Sequence, residues 1–238
     1  MSTSNTTKMI TNNEFVSRVV NNLKALTKDG HISKRFILSI GKIKAKFLIA
    51  QKLDEMTLFR EDGIITSIPC FEMQAVEVKT CDVFEFRSCA RVMKSTKKLP
   101  EGIFGKNGSG IISVTSVDEL KDYSYITPQR FLDLKKRKYT RDTTRYYTIK
   151  DGYLYLPDST NELLELRMIA LDKQEAAMVS SCSGCNCDSV WEYEFVCPDR
   201  FMDLVIKDTL QEVGSIYRTS VEDANPNMEP NQKTQTIQ

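Results

Sequence analysis

The hydrophobic pattern of the chain changes period twice, and this change limits the fold more than any other feature. Apolar residues recur at helical spacing up to about residue 56, alternate as in strands through much of 57–196, and return to helical spacing after Cys197. The pattern predicts an α+β fold. The economical arrangement is a small helical bundle, built from two N-terminal helices and a C-terminal helix, with an inserted β-rich part.

The predicted domain boundaries follow this order. Residues 1–56 form an N-terminal helical hairpin, which packs with a C-terminal helix at 197–218. Residues 57–196 form the inserted β-rich part, with a short helix at 128–136 that Thr127 caps. Residues 219–238 are polar and contain two prolines, so we expect a disordered tail.

The two N-terminal helices carry clear signals. Thr11 and Glu14 form a capping box before an apolar run that ends at Asp29-Gly30. Ser33 is placed to cap the second helix, whose other face is basic and has no acidic residue before Asp54. The residues predicted to form the buried face of this second helix are Phe36, Ile37, Ile40, Ile43, Phe47 and Leu48.

Strand signals fill the middle of the chain. The clearest is a hairpin, in which Asp151-Gly152 separates the alternating aromatic runs 146–149 and 153–156. Segment 94–100 reads as a basic loop. Further strands are predicted at 64–78, 83–86, 111–114, 163–171 and 190–195.

Charge is divided unequally along the chain. Residues 1–150 hold 27 Lys and Arg against 16 Asp and Glu, and residues 151–238 hold 6 against 16, which gives +11 and −10 and the overall +1. A nucleic-acid binder with a large phosphate footprint is usually basic overall. Two explanations stay open: copies of the chain pack basic surface to acidic surface, or solvated faces happen to segregate.

The cysteines and the single histidine set the chemistry that is available. The N-terminus lacks a signal-peptide layout and no apolar run is long enough to span a membrane, so we expect a reducing compartment and thiols or metal ligands before disulfides. His31 reads as an ordinary loop residue. Four cysteines form a metal-like cluster that is either a zinc site or a reduced cysteine-rich loop: Cys182, Cys185, Cys187 and Cys197.

Other motifs indicate structure rather than catalysis. The glycine-rich segment 102–110 departs from the P-loop pattern and is predicted to be a turn between strands. Three interpretations of the basic and aromatic stretch 130–147 stay open. It binds nucleic acid, it contacts an acidic partner surface, or it is a solvated basic face above tyrosines that belong to the core. The acidic pairs at 54–55, 61–62 and 118–119 are ordinary surface groups. We predict no enzyme activity, no catalytic residue and no cofactor.

Three segments resemble a known family. They are Met93 to Pro100, Tyr146 to Asp158 and Trp191 to Phe201. The resemblance as a whole extends from about Phe15 to Tyr217. In these the chain resembles the ring protein of crAss-like bacteriophages, a head–tail connector or neck adaptor similar to the tail-tubular connectors of short-tailed phages.

The resemblance implies a structural virion protein in the neck or tail region, made in the host bacterial cytoplasm. It implies a homo-oligomeric ring of twelve copies that joins the portal protein to other neck or tail ring proteins. Genomic DNA then passes through the lumen without specific binding, and no membrane is involved. In a closed head-to-tail ring, the basic face of one copy is expected to meet the acidic face of the next. The alternative from the residues alone is a zinc-stabilised nucleic-acid-binding protein.

Overall fold

The computed structural model describes residues 9–26, 32–55, 63–77, 91–103, 110–136, 144–182 and 189–223. In these residues the chain forms five helices and seven strands. The helices are α1 (Asn12–Leu26), α2 (Lys34–Asp54), α3 (Pro128–Lys135), α4 (Lys173–Val179) and α5 (Asp199–Asp223). The strands are β1 (Thr66–Val76), β2 (Val92–Ser95), β3 (Ile111–Ser116), β4 (Asp122–Tyr125), β5 (Arg145–Lys150), β6 (Tyr153–Pro157) and β7 (Leu163–Met168).

The seven strands close into a barrel in the order β1-β2-β6-β5-β4-β3-β7. All neighbouring pairs are antiparallel except β4 and β5, which run parallel. Apolar side chains from alternate strand positions fill the interior, among them Phe71, Leu154, Leu156, Leu164 and Leu166. Closure removes the free sheet edges that an open sheet of this size exposes.

The predicted fold class was wrong in its architecture, although the fold does combine helices and strands. A closed barrel replaces the expected small helical bundle with an inserted β-rich part. Two short strands that the sequence analysis missed complete the circuit. β2 lies partly in the segment that we predicted to be a basic loop, and β4 pairs in parallel with β5 across the connection that contains α3.

A second core lies between the helices and one end of the barrel. Helices α1, α2 and α5 pack together, and their apolar residues meet Ile64, Ile103 and Ile169 next to the strands. The rings of Phe15 and Phe195 stack at its centre, with centroids 4.0 Å apart. The helical layer is therefore attached to the end of the barrel at which β7 finishes.

Several local predictions are confirmed. Glu14 donates its backbone N–H to the Thr11 hydroxyl oxygen at the start of α1, which is one of the two hydrogen bonds of the predicted capping box, while its carboxylate accepts from Arg18. Asp151 and Gly152 both have positive φ, 54° and 79°, which matches the tight hairpin turn between β5 and β6. Thr127 accepts from the Arg130 N–H as the N-cap of α3.

Other local predictions need correction or are not addressed. Segment 190–195, predicted to be a strand, contributes only one bridge, between Glu194 and Thr11. Helix α5 runs to Asp223, so residues 219–223 of the predicted disordered tail are helical. The predicted strand 83–86 and residues 224–238 lie outside the described residues.

Candidate functional site

Helix α2 exposes an apolar stripe made of Phe36, Ile43 and Phe47. At 3.6 residues per turn these three positions lie within about 40° of one another around the helix. Phe47 is 69% exposed, although the sequence analysis placed all three residues in the core. The helix buries a different face through Ile37, Ala45 and Ile49. Contiguous exposed apolar patches are typical of interaction sites, whether for a protein, a membrane or a small ligand.

A groove extends from this stripe to the barrel. It has a volume of about 510 Å³ and contains Ile43 and Phe47 on one wall and Leu171, just after β7, on the other. The remaining lining residues are Ser39, Lys42, Lys46, Glu101, Asp172 and Glu175. We call the stripe and this groove together the α2 groove.

Ion pairs join the two walls of the α2 groove. The Lys42 ammonium lies 2.5 Å from the Asp172 carboxylate, and the exposed fractions of the two side chains are 16% and 29%. Lys46 forms a second pair with Glu101. Asp172 also accepts the backbone N–H of Gln174 as the N-cap of α4, so one carboxylate fixes both the groove wall and the following helix.

The unequal charge distribution is partly neutralised within the chain. Lys42 and Lys44 of α2 pair with Asp172 and Glu212, which both belong to the acidic part of the sequence. Neither of the two explanations from the sequence included this pairing. Among the described residues, Lys34 and Arg35 at the start of α2 have no ion-pair partner.

A second apolar patch lies at the turn between β3 and β4. Leu120 is 82% exposed, Val117 is also exposed, and Leu163 begins β7 beside the end of β3. Four carboxylates lie close to these residues in sequence, Asp118, Glu119, Asp122 and Glu162, and Glu119 pairs with Arg167. We call these seven residues the barrel-tip patch.

The turn that carries Leu120 is firmly held. Ser116 donates its backbone N–H to the Lys121 carbonyl at 2.9 Å, and its carbonyl accepts the Glu119 N–H at 2.8 Å. The Ser116 hydroxyl bonds to Asp118 and lowers the pKa of that carboxyl, which therefore stays ionised. Lys121 reaches Asn161 on the neighbouring loop at 3.3 Å. The patch is thus presented by an ordered turn.

The two patches lie at opposite ends of the barrel. Ser116 at the end of β3 pairs with Leu164 at the beginning of β7. At the other end Gly110 accepts the Ile169 N–H, and Leu171, a wall of the α2 groove, donates to the Glu101 carbonyl. The six residues of β3 separate these ends by roughly 20 Å at ~3.3 Å per residue.

The predicted cysteine cluster is not assembled as four thiolates. Cys182 forms a disulfide with Cys70, with the two Cα atoms 5.5 Å apart, which corrects the expectation of free thiols. Cys70 lies at a bulge in β1, where its φ is 54°. Ser180 and Ser181 donate their hydroxyls to the carbonyls of Pro69 and Cys70, so the chain after α4 is fastened to this bulge.

Cys197 belongs to the helical core rather than to a metal site. Its thiol is fully buried, and burial, with a smaller effect of the Asp199 carboxylate, raises its pKa to about 12. Cys185 and Cys187 lie outside the described residues. With the Cys182 sulfur held in a disulfide, the zinc-stabilised alternative loses one of its four ligands.

The remaining candidate groups do not form a catalytic centre in the part of the chain that the structure describes. A hydrogen bond from Lys52 lowers the pKa of Glu55, which suits an ionised surface group. Gly110 lies so close to the Ile103 carbonyl that a side chain would collide with it, which gives this glycine a packing role. His31, residues 104–109 and the acidic pair at 61–62 lie outside the described residues.

The basic and aromatic stretch 130–147 is largely structural where it is described. Tyr147 fills the barrel, while Phe131 and Tyr146 contact each other edge to face between α3 and the outside of the barrel. Lys135 lies over the Phe131 ring and pairs with Asp158. Residues 137–143, which hold much of the predicted basic charge, lie outside the described residues.

Two features of the described residues bear on function. No group of three or more His, Cys, Asp or Glu side chains there is arranged to hold a metal ion. None of the described helices is both long and apolar enough to cross a membrane.

Two separated apolar patches on a barrel with a helical layer are candidate surfaces for contact with other proteins. The chain belongs to the phage tail ring protein 2 family, whose model matches residues 14–233. This match confirms the resemblance to the ring proteins of crAss-like phages. A comparison with curated proteins finds no significant match. Family membership indicates a structural, tail-associated component of the virion.

Proposed function

We propose that the chain is the repeating subunit of a ring at the junction of the phage head and tail. In this role it joins the portal protein to further neck or tail proteins, with twelve copies around the ring. Family membership supports the ring itself. The observation that carries the proposal is the presence of two unlike apolar patches at opposite ends of the barrel. A closed ring of identical subunits is built from head-to-tail contacts, and these require two different surfaces on each copy.

The environment of a released virion also fits the disulfide. A disulfide between Cys70 and Cys182, which lie 112 positions apart in sequence, persists in an oxidising medium. It fastens the segment after α4 to the barrel wall. A ring that has to withstand genome passage benefits from a subunit whose wall is cross-linked in this way.

The role of DNA in this proposal is passive. The central opening of the ring is the exit channel, and contacts with the genome are weak and non-specific, because tight phosphate binding would slow passage. The described pairs of Lys42, Lys44 and Lys46 with carboxylates reduce the positive charge available for DNA. Duplex binding by the purified protein is therefore expected to be lost at physiological salt.

Mass photometry of the purified full-length chain, alone and with an isolated portal ring, tests the proposal. The expected result is a discrete complex with many copies per portal, visible as a ring by negative-stain electron microscopy. The portal is included because it can act as the template for the ring. A chain that stays monomeric with the portal, and that retains DNA at physiological salt, would contradict the proposal.

A further inference from the structure

The disulfide joins two cysteines that differ in exposure. Cys70 lies in the bulge of β1 and is buried, with 8% of its surface exposed, whereas Cys182 and the preceding Ser181 are exposed residues. Thiol–disulfide exchange begins when a thiolate attacks a sulfur atom that it can reach. A small thiol or disulfide from solution therefore reaches the Cys182 sulfur more easily than the Cys70 sulfur.

Hydrogen bonds hold the two cysteines together independently of the disulfide. The Ser180 hydroxyl donates to the Pro69 carbonyl at 2.5 Å, and the Ser181 hydroxyl donates to the Cys70 carbonyl at 2.6 Å. The Ser181 N–H donates to the same carbonyl at 3.3 Å. The Cα atoms of the two cysteines lie 5.5 Å apart, within the range that a disulfide spans without movement of the backbone. We therefore expect reduction to leave the two thiols side by side.

The bond fastens the chain between the barrel and the helical layer. Helix α4, which directly precedes Ser180, packs against β1. Further along, the chain enters the helical core at Phe195, Val196 and Cys197 and continues into α5. With the disulfide open, residues 180–182 are held on β1 by hydrogen bonds, which open and close without chemical change. A closed disulfide therefore makes detachment of this segment rarer.

We propose that Cys70 and Cys182 form a redox-sensitive cross-link, open in a reducing medium and closed by a low-molecular-weight disulfide, with Cys182 as the residue that reacts first. The timing rests on the proposed function, in which the subunit is made in the host cytoplasm before the virion is released. The ring then assembles with the cross-link open, and the cross-link closes after release.

Closure takes two exchange steps. The Cys182 thiolate attacks one sulfur of oxidised glutathione, which forms a mixed disulfide at Cys182 and releases one glutathione thiolate. The Cys70 thiolate then attacks the Cys182 sulfur and releases the second glutathione. The two cysteines together lose two protons and two electrons, and one molecule of oxidised glutathione is reduced to two thiols.

Two substitutions separate the two steps. The full-length Cys70→Ser and Cys182→Ser proteins are reduced, transferred to oxidised glutathione and quenched with acid at successive times, and tandem mass spectrometry assigns each adduct to its cysteine. We expect the adduct on Cys182 to form at least about tenfold faster than the adduct on Cys70, because exposure controls the reactivity of a thiol. The buried Cys197 is the internal control for folding and stays unmodified. In urea the two rates are expected to be equal.

The original chain tests the arrangement of the pair. The same treatment is expected to give the Cys70–Cys182 disulfide as the product, with only a transient adduct. Replacing both Ser180 and Ser181 by alanine removes two of the hydrogen bonds and is expected to slow closure about tenfold. Ser215→Ala, which removes a serine hydrogen bond within α5, is the matched control and is expected to leave the rate unchanged.

The other outcomes separate this cross-link from the proposed function. Equal rates of the two adducts in the folded protein overturn the order of reaction. An oxidised chain that pairs Cys182 with another cysteine overturns the cross-link, as does a Cys70–Cys182 bond that dithiothreitol leaves intact in the folded protein.

Ring formation with the portal, measured on reduced and oxidised protein, tests the timing. The reduced protein is expected to form the ring as readily as the oxidised protein. A ring that requires the closed cross-link overturns the timing. A chain that closes the cross-link as described, yet forms no ring with the portal in either state, contradicts the proposed function and supports the cross-link.

Discussion

Replacing Gly41 by alanine tests whether the helical layer is packed as the structure shows. Gly41 lies on the buried face of α2, against the ring of Phe15 in α1. A Cβ at this position would lie 2.5 Å from Phe15 Cζ and closer still to Cε1. The Phe15 ring has no room to retreat, because it is fully buried and stacked on Phe195 at 4.0 Å.

Two opposing effects determine the size of the change. Alanine in place of glycine stabilises a helix interior by about 1 kcal/mol. Overpacking a filled core costs typically about 1–3 kcal/mol, and the distances at Gly41 put this case at the upper end. We therefore expect Gly41→Ala to lower the free energy of unfolding by about 1–2 kcal/mol.

Gly214 supplies a matched control within the same chain. It lies in α5, and an added Cβ there would have no neighbour within 4 Å. Gly214→Ala is expected to raise the free energy of unfolding by about 0.5–1 kcal/mol, through the helical preference of alanine alone. The difference between the two variants isolates the collision, since the helical contribution is common to both.

Urea unfolding followed by circular dichroism measures both variants. A second substitution, Phe15→Leu, is expected to cost less in the Gly41→Ala background than in the original chain, because it relieves the collision. If Gly41→Ala proves as stable as Gly214→Ala, the described contact between α1 and α2 is wrong, and the position of the stripe on α2 has to be reconsidered.

Three further predictions concern the disulfide, the buried thiol and the groove wall. Replacing Cys70 by serine, or reducing its bond to Cys182, is expected to lower the free energy of unfolding by about 2–4 kcal/mol. Urea unfolding with and without reductant measures this loss. Equal stability in both conditions would refute the disulfide. The thiol pKa of Cys197 is raised from 9.0 to about 12 by folding, so its contribution to stability is complete below pH 9 and is lost as the pH rises towards 12. Unfolding of the Cys197→Ala variant is expected to lack this component, and an unchanged pH profile above pH 9 would count against a buried thiol. Asp172→Ala is expected to lose the N-cap of α4 and the pair with Lys42, which lowers the free energy of unfolding by about 1–2 kcal/mol. Asp172→Asn keeps the cap, so its loss of stability is expected to be smaller. Equal losses of stability in thermal unfolding would contradict this double role.

Local signals in the sequence predicted the elements whose neighbours are close along the chain. The hairpin of β5 and β6 needs only Asp151-Gly152 and the alternating residues on either side. The starts of α1 and α3 likewise depend on caps three residues from their partners. Such features are fixed by short-range sterics and hydrogen bonds, which is why a single sequence is enough to find them.

Barrel closure depends on contacts that no local pattern encodes. β2 and β4 are four residues each, and their strand character comes from partners such as β6 and β5. The segment before β3 and the residues after β7 are brought together only once the barrel forms. The disulfide between Cys70 and Cys182 has the same origin, since 112 positions separate the two residues in sequence. Propensity and spacing gave no means of choosing this pair among seven cysteines.

The error at α2 shows how an exposed apolar stripe can be recognised within a helix pattern. The predicted core face combined Ile37 and Ile40, which are buried, with Phe36, Ile43 and Phe47, which are exposed. A stripe that faces only the core of its own subunit spans one side of a helix, whereas α2 has apolar residues over a wider arc than the helices around it cover. Exposure of two phenylalanine side chains to water is unfavourable, and contact with another protein surface removes these side chains from water. The surplus apolar width of α2, rather than any single motif, is therefore the sequence signal that distinguishes its exposed stripe from the face that packs on its own subunit.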